Sequence, residues 1–207
     1  MLDRAREKMM EKEIRKDEVP TSIAVIISSK AIGPRWWRRV GEVAGWCTTL
    51  GIREAAFFPE VAGKERLEDV ARELAEELSA LPAKGRLIFR DCETPFGKGG
   101  PLDLAISIGR GGKEEVTEAI RSLLEDVKSG LVDPEEIDEA AIEAKLQIKQ
   151  RPDLLIRLGN RELSNFMIWQ STYSELYFID RSWDRLKKID FLLAVRDYQR
   201  RERRFGR

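Results

Sequence analysis

Short apolar strand segments alternate along this chain with longer amphipathic helical segments, and this alternation restricts its fold more than any other feature. The first apolar segment, residues 21–28 (TSIAVIIS), is rich in β-branched residues and unbroken by charges, which is typical of a strand covered on both faces. Further strands are predicted at 54–58, 85–90, 102–109, 153–157 and 175–178. Because strands that alternate with helices build parallel sheets, we predict a single α/β domain with a central, mostly parallel sheet of about six strands flanked by helices.

Amphipathic helices fill the intervals between these strands. Apolar residues recur at helical spacing in residues 35–50, 64–81, 113–130, 133–146, 163–170 and 183–206. Asp133 as N-cap and Pro134 as first helical residue mark the start of the fourth helix. Trp36, Trp37 and Trp46 fall in the first helix, where their spacing favours packing in the core or at an interface.

The first 20 residues form a separate, highly charged segment. They are typical of a helix with a thin apolar stripe, and the six acidic and six basic residues up to Glu18 cancel in charge. Such a helix is a poor electrostatic membrane anchor, so docking onto the domain or onto a partner is favoured. No linker or repeat divides the remaining chain. We therefore predict a charged N-terminal helical extension at 1–20 and one domain at 21–207.

Composition excludes several classes of function. Lys plus Arg and Asp plus Glu both total 37, so there is no basic excess to indicate a nucleic-acid partner. The absence of histidine excludes Ser-His-Asp triads, His-ligated zinc and imidazole acid–base chemistry.

Two distant cysteines, Cys47 and Cys92, exclude a disulfide framework and fit a reducing compartment. No apolar run approaches the roughly 20 residues of a membrane span, and no signal-peptide core is present. We predict a cytoplasmic location.

Two segments contain groups that could bind phosphate, each with a plain structural alternative. Residues 196–207 carry six arginines against two acidic residues, and guanidinium groups bind phosphates or carboxylates with paired hydrogen bonds. The alternative is a solvated helical face with a frayed end. Residues 109–113 (GRGGK) lie between a strand and a helix, but they match neither nucleotide-binding glycine pattern. A tight turn that needs glycine dihedrals is the favoured interpretation there.

Residues 151–178 (RPDLLIRLGNRELSNFMIWQSTYSELYF) concentrate more chemistry than any other segment. Arg157 ends a predicted strand, so it should lie at the carboxyl edge of the sheet, where α/β proteins bind ligands. Arg161 and Ser164 follow near a helix start and, with free helix N–H groups, suit an oxyanion such as pyrophosphate. Glu175 could bind a divalent cation. The alternative is that Arg157 and Glu175 form an ion pair while Ser164 caps the helix.

This segment, together with residues 191–206 (FLLAVRDYQRRERRFG), resembles the C-terminal half of the cis-prenyltransferase family, which includes undecaprenyl and dehydrodolichyl diphosphate synthases. The family pattern is an apolar strand, Arg-x-Gly-Gly, Arg-x-Ser-Asn-Phe, Trp-Gln, Tyr-x-Glu-Leu-Tyr-Phe and a last helix that ends in Arg-Arg-Phe-Gly. Residues 131–142 (LVDPEEIDEAAI) also match. The resemblance implies the fold of that family and its reaction, the addition of isopentenyl diphosphate to an allylic diphosphate.

The resemblance also implies roles for particular residues. Arg157, Arg161, Ser164 and Asn165 would bind isopentenyl diphosphate, although this chain is one residue shorter before Arg161. Glu175 would lie near Mg²⁺, the cofactor that assists departure of pyrophosphate. The tail sequence Arg-x-Gly, here Arg204 and Gly206, would reach across a dimer into the partner's active site.

The first half departs from the family pattern at the positions that do the chemistry. Family enzymes follow the first strand with Asp-Gly-Asn-x-Arg, in which the aspartate holds Mg²⁺. Ser28 occupies the place of that aspartate here, and a serine is a much poorer Mg²⁺ ligand than a carboxylate. The family segment Phe-Ser-Thr-Glu-Asn is reduced to residues 57–65 (FFPEVAGKE). The first substrate site is therefore predicted to be lost.

Some cis-prenyltransferases are heteromers, and one of their subunits is similar to the Nogo-B receptor. That subunit lacks the aspartate and donates Arg-x-Gly. In both respects this chain resembles it. The sequence hypothesis is a non-catalytic but required subunit in long-chain polyprenyl diphosphate synthesis, the route to dolichol. Its partner would be an Asp-bearing homologue, in a heterodimer or heterotetramer with Mg²⁺ in the partner's site. Formation of a homodimer alone stays open, as does membrane contact through the lipid product. Two alternatives are a stand-alone enzyme in which Glu60 replaces the aspartate and a catalytically dead scaffold.

Overall fold

The computed structural model describes residues 2–32, 36–60, 67–89, 92–109, 111–159 and 167–201. The strands are β1 (Ser22–Ile27), β2 (Glu54–Pro59), β3 (Lys84–Phe89), β4 (Cys92–Phe96), β5 (Asp103–Ile108), β6 (Leu154–Leu158) and β7 (Glu175–Ile179). The helices are α1 (Leu2–Ile14), α2 (Trp37–Leu50), α3 (Leu67–Glu77), α4 (Gly112–Lys128), α5 (Glu139–Lys145) and α6 (Lys188–Arg200). Short 3₁₀ turns cover Pro134–Glu136 and Trp183–Arg185.

Across the described residues the strands form one sheet in the order β4-β3-β5-β2-β1-β6-β7. Every neighbouring pair is parallel except β3 and β4, so the predicted α/β class with a mostly parallel sheet is confirmed. The seventh strand, β4, was not predicted. Its sequence (CETPF) contains Pro95 and leaves its first four residues exposed, so it carries no apolar signal. It lies at one edge of the sheet, where an exposed strand with a proline is tolerated.

Strand β1 lies inside the sheet, and all six of its residues are buried, as its unbroken apolar sequence predicted. On one face, Ile23, Val25 and Ile27 join the main core, to which α1, α2, α3 and α6 contribute. On the other face, Ala24 and Ile26 belong to a smaller apolar cluster. Helix α4 is tied to that second face by Glu115, which accepts hydrogen bonds from the Ile148 N–H and from Gln170.

The N-terminal helix α1 docks onto the domain. Met10 and Ile14 are buried in the main core, and α1 packs beside α6. Lys188 forms an ion pair of 2.8 Å with Glu11, and the Gln199 side chain donates to the Ile14 carbonyl at 2.8 Å. Docking onto the domain was one of the two outcomes expected of this segment, and the boundary between residues 20 and 21 stays a prediction.

Three predicted helices differ from the structure. The last one, predicted over residues 183–206, begins only at Lys188, after the 3₁₀ turn Trp183–Arg185. Residues 133–146 do not form one helix, because two aspartates cap two successive elements. Asp133 accepts from the Glu135 N–H and starts the 3₁₀ turn, while Asp138 accepts from the Ala141 N–H and starts α5. Of the predicted helix 163–170, only residues 167–170 lie within the described part, and they belong to a series of turns rather than a helix.

Tryptophan side chains fill the core at the start of α2, as their spacing predicted. Trp36 and Trp37 are buried with ring centroids 6.2 Å apart. Trp183 is fully buried, packs edge-on against Phe57 at 5.9 Å and donates its indole N–H to the Trp36 carbonyl at 2.6 Å. Trp46 is half-buried against Phe191. These rings close the space between α2, the sheet and the segment that precedes α6.

Candidate functional site at the carboxyl edge of the sheet

The topology places a ligand site at the carboxyl ends of β1 and β6. Strand β1 connects to β2 through α2 on the main-core face, whereas the connection from β6 to β7 places Met167 in the smaller apolar cluster on the opposite face. Adjacent parallel strands whose connections leave toward opposite faces open a crevice between them, and α/β proteins bind ligands there. Ser28 follows β1 at this edge, Arg157 lies near the end of β6, and Glu60 follows β2.

Arg157 forms an ion pair with Glu60 at this edge. Its side chain is 0% exposed, and both terminal guanidinium nitrogens lie 3.2 Å from the same Glu60 oxygen, Oε1. The second oxygen, Oε2, accepts from the Ser29 N–H at 3.4 Å. The Glu60 N–H donates to the Ile27 carbonyl at 2.9 Å, which holds the glutamate backbone against the end of β1. A buried guanidinium needs such a counter-charge, because an uncompensated buried ion is strongly destabilising.

Ser28 begins the tight turn that follows β1, and this turn is hydrogen-bonded to the end of β6. Ser28 is 1% exposed, its N–H donates to the Leu158 carbonyl at 3.2 Å, and its Oγ accepts from the Lys30 N–H at 3.3 Å. Gly159, with a φ of +91°, closes the facing loop. A Cβ at Gly159 would come within 2.3 Å of the Ala31 Cβ, so only glycine fits there. The loops after β1 and β6 therefore pack directly against each other.

A cleft of about 790 Å³ opens beside these two loops. Its lining consists of Lys30, Ala31, Gly159, Asp180, Arg181, Ser182, Asp184 and Arg185. Three of these side chains are cationic and two are anionic, and Arg181 is paired with Asp190 at 3.4 Å. No sequence pattern marks this lining, because residues 180–185 follow β7 and approach residues 30–31 only once the sheet has formed.

The described residues do not fit a magnesium ion. No group of three or more acidic or cysteine side chains among them could hold a metal. Ser28 contributes only an uncharged hydroxyl, and both Glu60 oxygens already face hydrogen-bond donors. Of the two cysteines, Cys47 is buried, and burial raises the pKa of its thiol, which makes it a poor ligand and nucleophile.

Glu175 lies at the opposite end of the sheet from Arg157. It begins β7 and faces Leu154, whereas Arg157 faces Phe178. Glu175 forms an ion pair of 2.9 Å with Arg201, and this hydrogen bond raises the pKa of the Arg201 guanidinium. The alternative of an Arg157–Glu175 ion pair is therefore wrong, since the strand register separates the two. A role for Glu175 beside Mg²⁺ stays a prediction, and within this chain Glu175 is not brought near Ser28.

The remaining predicted site residues lie outside the described residues. These are Arg161, Ser164, Asn165, Arg204 and Gly206. In the glycine-rich turn at 109–113, the described Gly111 N–H donates to the Glu114 side chain at 2.9 Å. This glutamate caps the start of α4, which favours the structural interpretation of that turn.

The edge strand β7 and the turns before it present exposed apolar side chains. Ile168, Tyr173 and Phe178 are 41%, 63% and 36% exposed. Strand β7 ends the sheet on this side, and Arg201, the last described residue, is bound to its first residue. Exposed apolar groups on an edge strand and in the turns beside it are typical of a protein–protein interface. We call Ile168, Tyr173 and Phe178 the β7 patch.

Comparison with known proteins places the chain in a family. The family model described as "Putative undecaprenyl diphosphate synthase" matches residues 36–206. The chain belongs to this prenyltransferase family, the cis-prenyltransferases.

No helix in the described residues is long and apolar enough to cross a membrane.

Archaeal relatives extend the match over most of the chain. A protein of Methanopyrus kandleri is 30% identical over 243 residues, which cover 97% of this chain and 90% of the relative. A protein of Thermoplasma volcanium is 46% identical over 199 residues, which cover 82% of this chain and 77% of the relative. Both are named tritrans,polycis-undecaprenyl-diphosphate synthase, geranylgeranyl-diphosphate specific.

Solved structures confirm the fold. Lavandulyl diphosphate synthase from Lavandula x intermedia superposes with a TM-score of 0.72 at 22% identity, over 94% of this chain and all of that chain. A probable undecaprenyl diphosphate synthase from Campylobacter jejuni gives a TM-score of 0.68 at 21% identity, over 92% of this chain and all of that chain.

Proposed function

We propose that this chain is the non-catalytic but required subunit of a heteromeric cis-prenyltransferase that makes long-chain polyprenyl diphosphate. Its partner is an Asp-bearing homologue whose own site holds Mg²⁺ with the diphosphate substrates. The observation that carries the proposal is the state of the carboxyl edge. Ser28 stands where the family places its metal-binding aspartate, and the nearby carboxylate of Glu60 is bound to Arg157.

Electrostatics explain why this edge is a poor place for the reaction. When pyrophosphate departs, negative charge develops on its oxygens. This charge must be stabilised by positive charge close by, which a carboxylate-bound Mg²⁺ would supply. A serine hydroxyl carries no charge to hold the ion. If Glu60 left Arg157 to serve as a ligand, a buried guanidinium would lose this counter-charge, and breaking such a buried pair typically costs about 3–5 kcal/mol. The positive charge for leaving-group departure is therefore expected in the partner's site.

The filled core beside the edge supports the same conclusion. A growing polyprenyl chain needs an apolar channel that lengthens away from the diphosphate site. Here Phe57, Trp183 and Trp36 pack against one another on the main-core face. Trp36, Trp183 and Phe57 are each at most 4% exposed, so these side chains form packed core. A product chain would have to displace them.

The β7 patch and α6 supply the proposed contact with the partner. Burial of Tyr173 and Phe178 against the corresponding strand of a homologue would remove apolar surface from water. The same contact would deliver the tail, because Arg201 is tied to Glu175 at the start of β7 and Arg204 lies three residues further along. The Arg204 guanidinium would then contact pyrophosphate in the partner's site, while the apolar product brings the assembly to the membrane surface.

A second candidate is a stand-alone synthase acting as a homodimer. It is favoured by the synthase activity for which the archaeal relatives are named and by the position of Glu60 beside the Ser28 turn. In that case Glu60 would exchange Arg157 for a metal ion when substrate binds. The two candidates differ in whether the chain needs a partner.

The proposal is tested by size-exclusion chromatography with light scattering. The sample is the purified chain mixed with an Asp-bearing homologue from the same genome. We expect a species that contains both chains in equal numbers, as a heterodimer or heterotetramer. This species should form at micromolar concentration, because interfaces of standard size reach that affinity. Elution of the mixture as two separate proteins would contradict the proposal, and a stable homodimer of this chain that excludes the homologue would favour the second candidate.

A further inference from the structure

We propose that a cleft at the amino edge of the sheet binds a divalent metal cation, and that Ca²⁺ is the ion its oxygen groups fit best. This amino-edge cleft has a volume of about 610 Å³ and lies where β1, β2 and β5 begin, beside the segment that leads from α5 into β6. It is at the opposite end of the strands from Ser28 and Arg157, so its occupation does not depend on the proposed function.

Three neighbouring strands bring oxygen-bearing side chains into one row in this cleft. Ser22 on β1 pairs with Glu54 on β2, and Glu54 pairs with Asp103 on β5. Residues in register on parallel strands point to the same face, with neighbouring strands about 4.8 Å apart. Ile23 is in the main core and Ala24 is in the smaller cluster, so the row lies on the face of the smaller cluster.

The two carboxylates of the row carry negative charge that nothing nearby neutralises. Glu54 and Asp103 lie directly opposite each other, and like charges opposite each other on neighbouring strands are destabilising. In the part of the chain that the structure describes, neither carboxylate forms an ion pair or a hydrogen bond. A cation bound between them would remove this repulsion.

Two buried polar atoms in the same lining also lack a partner. Ser22 is 5% exposed and Gln150 is 9% exposed, and within the described residues neither Ser22 Oγ nor Gln150 Oε1 has a hydrogen-bond partner. Buried polar atoms are normally paired, because an unpaired one keeps its full desolvation cost. Both atoms are oxygens, the ligand type that hard cations take together with carboxylates.

This set of oxygens suits Ca²⁺ better than Mg²⁺. The described residues contain no group of three acidic side chains that could hold a metal, so the site uses two carboxylates, two neutral oxygens and water. Ca²⁺ takes about six to eight oxygen ligands in flexible geometry, whereas Mg²⁺ demands a near-ideal octahedron. With two carboxylates, the Kd for Ca²⁺ is expected in the weak range, about 0.1–1 mM.

Basic side chains surround the row without neutralising it. On one side, Lys149 donates to two backbone carbonyls at the end of α5, and Arg151 is bound to Glu143 of the same helix. On the other side, Lys84 and Arg86 of β3 make no ion pair with the row within the described residues. Their charge lowers the affinity for a cation, so Arg86→Gln should tighten Ca²⁺ binding about threefold.

Isothermal titration calorimetry of the full chain with CaCl₂, after removal of divalent ions, tests the proposal. We expect one Ca²⁺ per chain and weaker binding of Mg²⁺. Glu54→Gln and Asp103→Asn should each weaken Ca²⁺ binding at least about tenfold, because each removes one of the two charges that hold the ion. The matched control is Glu93→Gln, which removes an exposed charge on β4 and should leave the Kd unchanged.

The variant Ser22→Ala separates a ligand from a packing defect. It removes a buried hydroxyl that has no partner, so without Ca²⁺ the Tm of the variant should equal or exceed that of the unaltered chain. Ca²⁺ should then raise the Tm of the variant less than it raises the Tm of the unaltered chain. Equal shifts in the two chains would contradict the ligand set.

Two results would overturn the proposal. One is the absence of Ca²⁺ binding at roughly 10 mM, well above the expected Kd. The other is a Kd that Glu54→Gln and Asp103→Asn leave unchanged, which would place the ion elsewhere on the protein.

Discussion

Replacing Arg204 with alanine is expected to lower the turnover of the assembly with the Asp-bearing homologue about 100-fold, because the variant removes one charged donor from the departing pyrophosphate. The donor acts across the subunit contact, so the amount of assembly should not change. Initial rates of isopentenyl diphosphate incorporation at saturating substrate measure the turnover, and light scattering measures the amount of assembly.

The neighbouring arginine supplies the control for this variant. Arg203→Ala removes the same charge one residue earlier in the tail, outside the Arg-x-Gly sequence. Its turnover is expected to stay within about twofold of the unaltered assembly, as for a solvated surface charge. Unchanged turnover in Arg204→Ala would remove the proposed role of the tail. Equal losses in both variants would mean that the tail acts only through its net charge.

Replacing Phe178 with aspartate is expected to weaken association with the homologue at least about 100-fold, since a charge placed at the centre of an apolar contact must be desolvated without a partner. Phe178 is 36% exposed on the edge strand β7, so the change should leave the isolated chain folded. Titration calorimetry of the two proteins measures the affinity, and circular dichroism checks the fold.

An equally apolar but remote side chain provides the comparison for Phe178. Leu131 is 76% exposed just after α4, outside the contact proposed for the β7 patch and α6, and Leu131→Asp should leave the affinity unchanged. If Phe178→Asp binds the homologue as tightly as the unaltered chain does, the β7 patch is not the contact surface. If both variants lose affinity, the assembly uses the α4 side as well.

The fold could be predicted from the sequence wherever a buried strand is a continuous run of apolar residues. Strands β1 and β6 are buried at every position, and the prediction located both. Strand β4 could not be found in this way, because its exposed residues form no such run and its pairing with β3 is what makes it a strand. The split of residues 133–146 depended on which of two aspartates caps a helix, and both do.

The site was less predictable, because its contacts join distant parts of the chain. Arg157 was expected at the carboxyl edge and lies there, but its partner Glu60 is 97 positions away and the ion pair depends on the sheet order. Glu175 was grouped with Arg157 because the two are close in sequence. The parallel register of β6 and β7 separates them and gives Glu175 to Arg201 instead.

Incorporation of radiolabelled isopentenyl diphosphate into lipid, with an allylic diphosphate and Mg²⁺, tests the central claim most directly. The assay is run on this chain alone, on the Asp-bearing homologue alone and on the mixture of the two. The account predicts no incorporation by this chain alone and a rate for the mixture well above that of the homologue. Chain elongation by this protein alone would contradict the proposal, and it would mean that the chain holds its metal ion without a carboxylate at position 28.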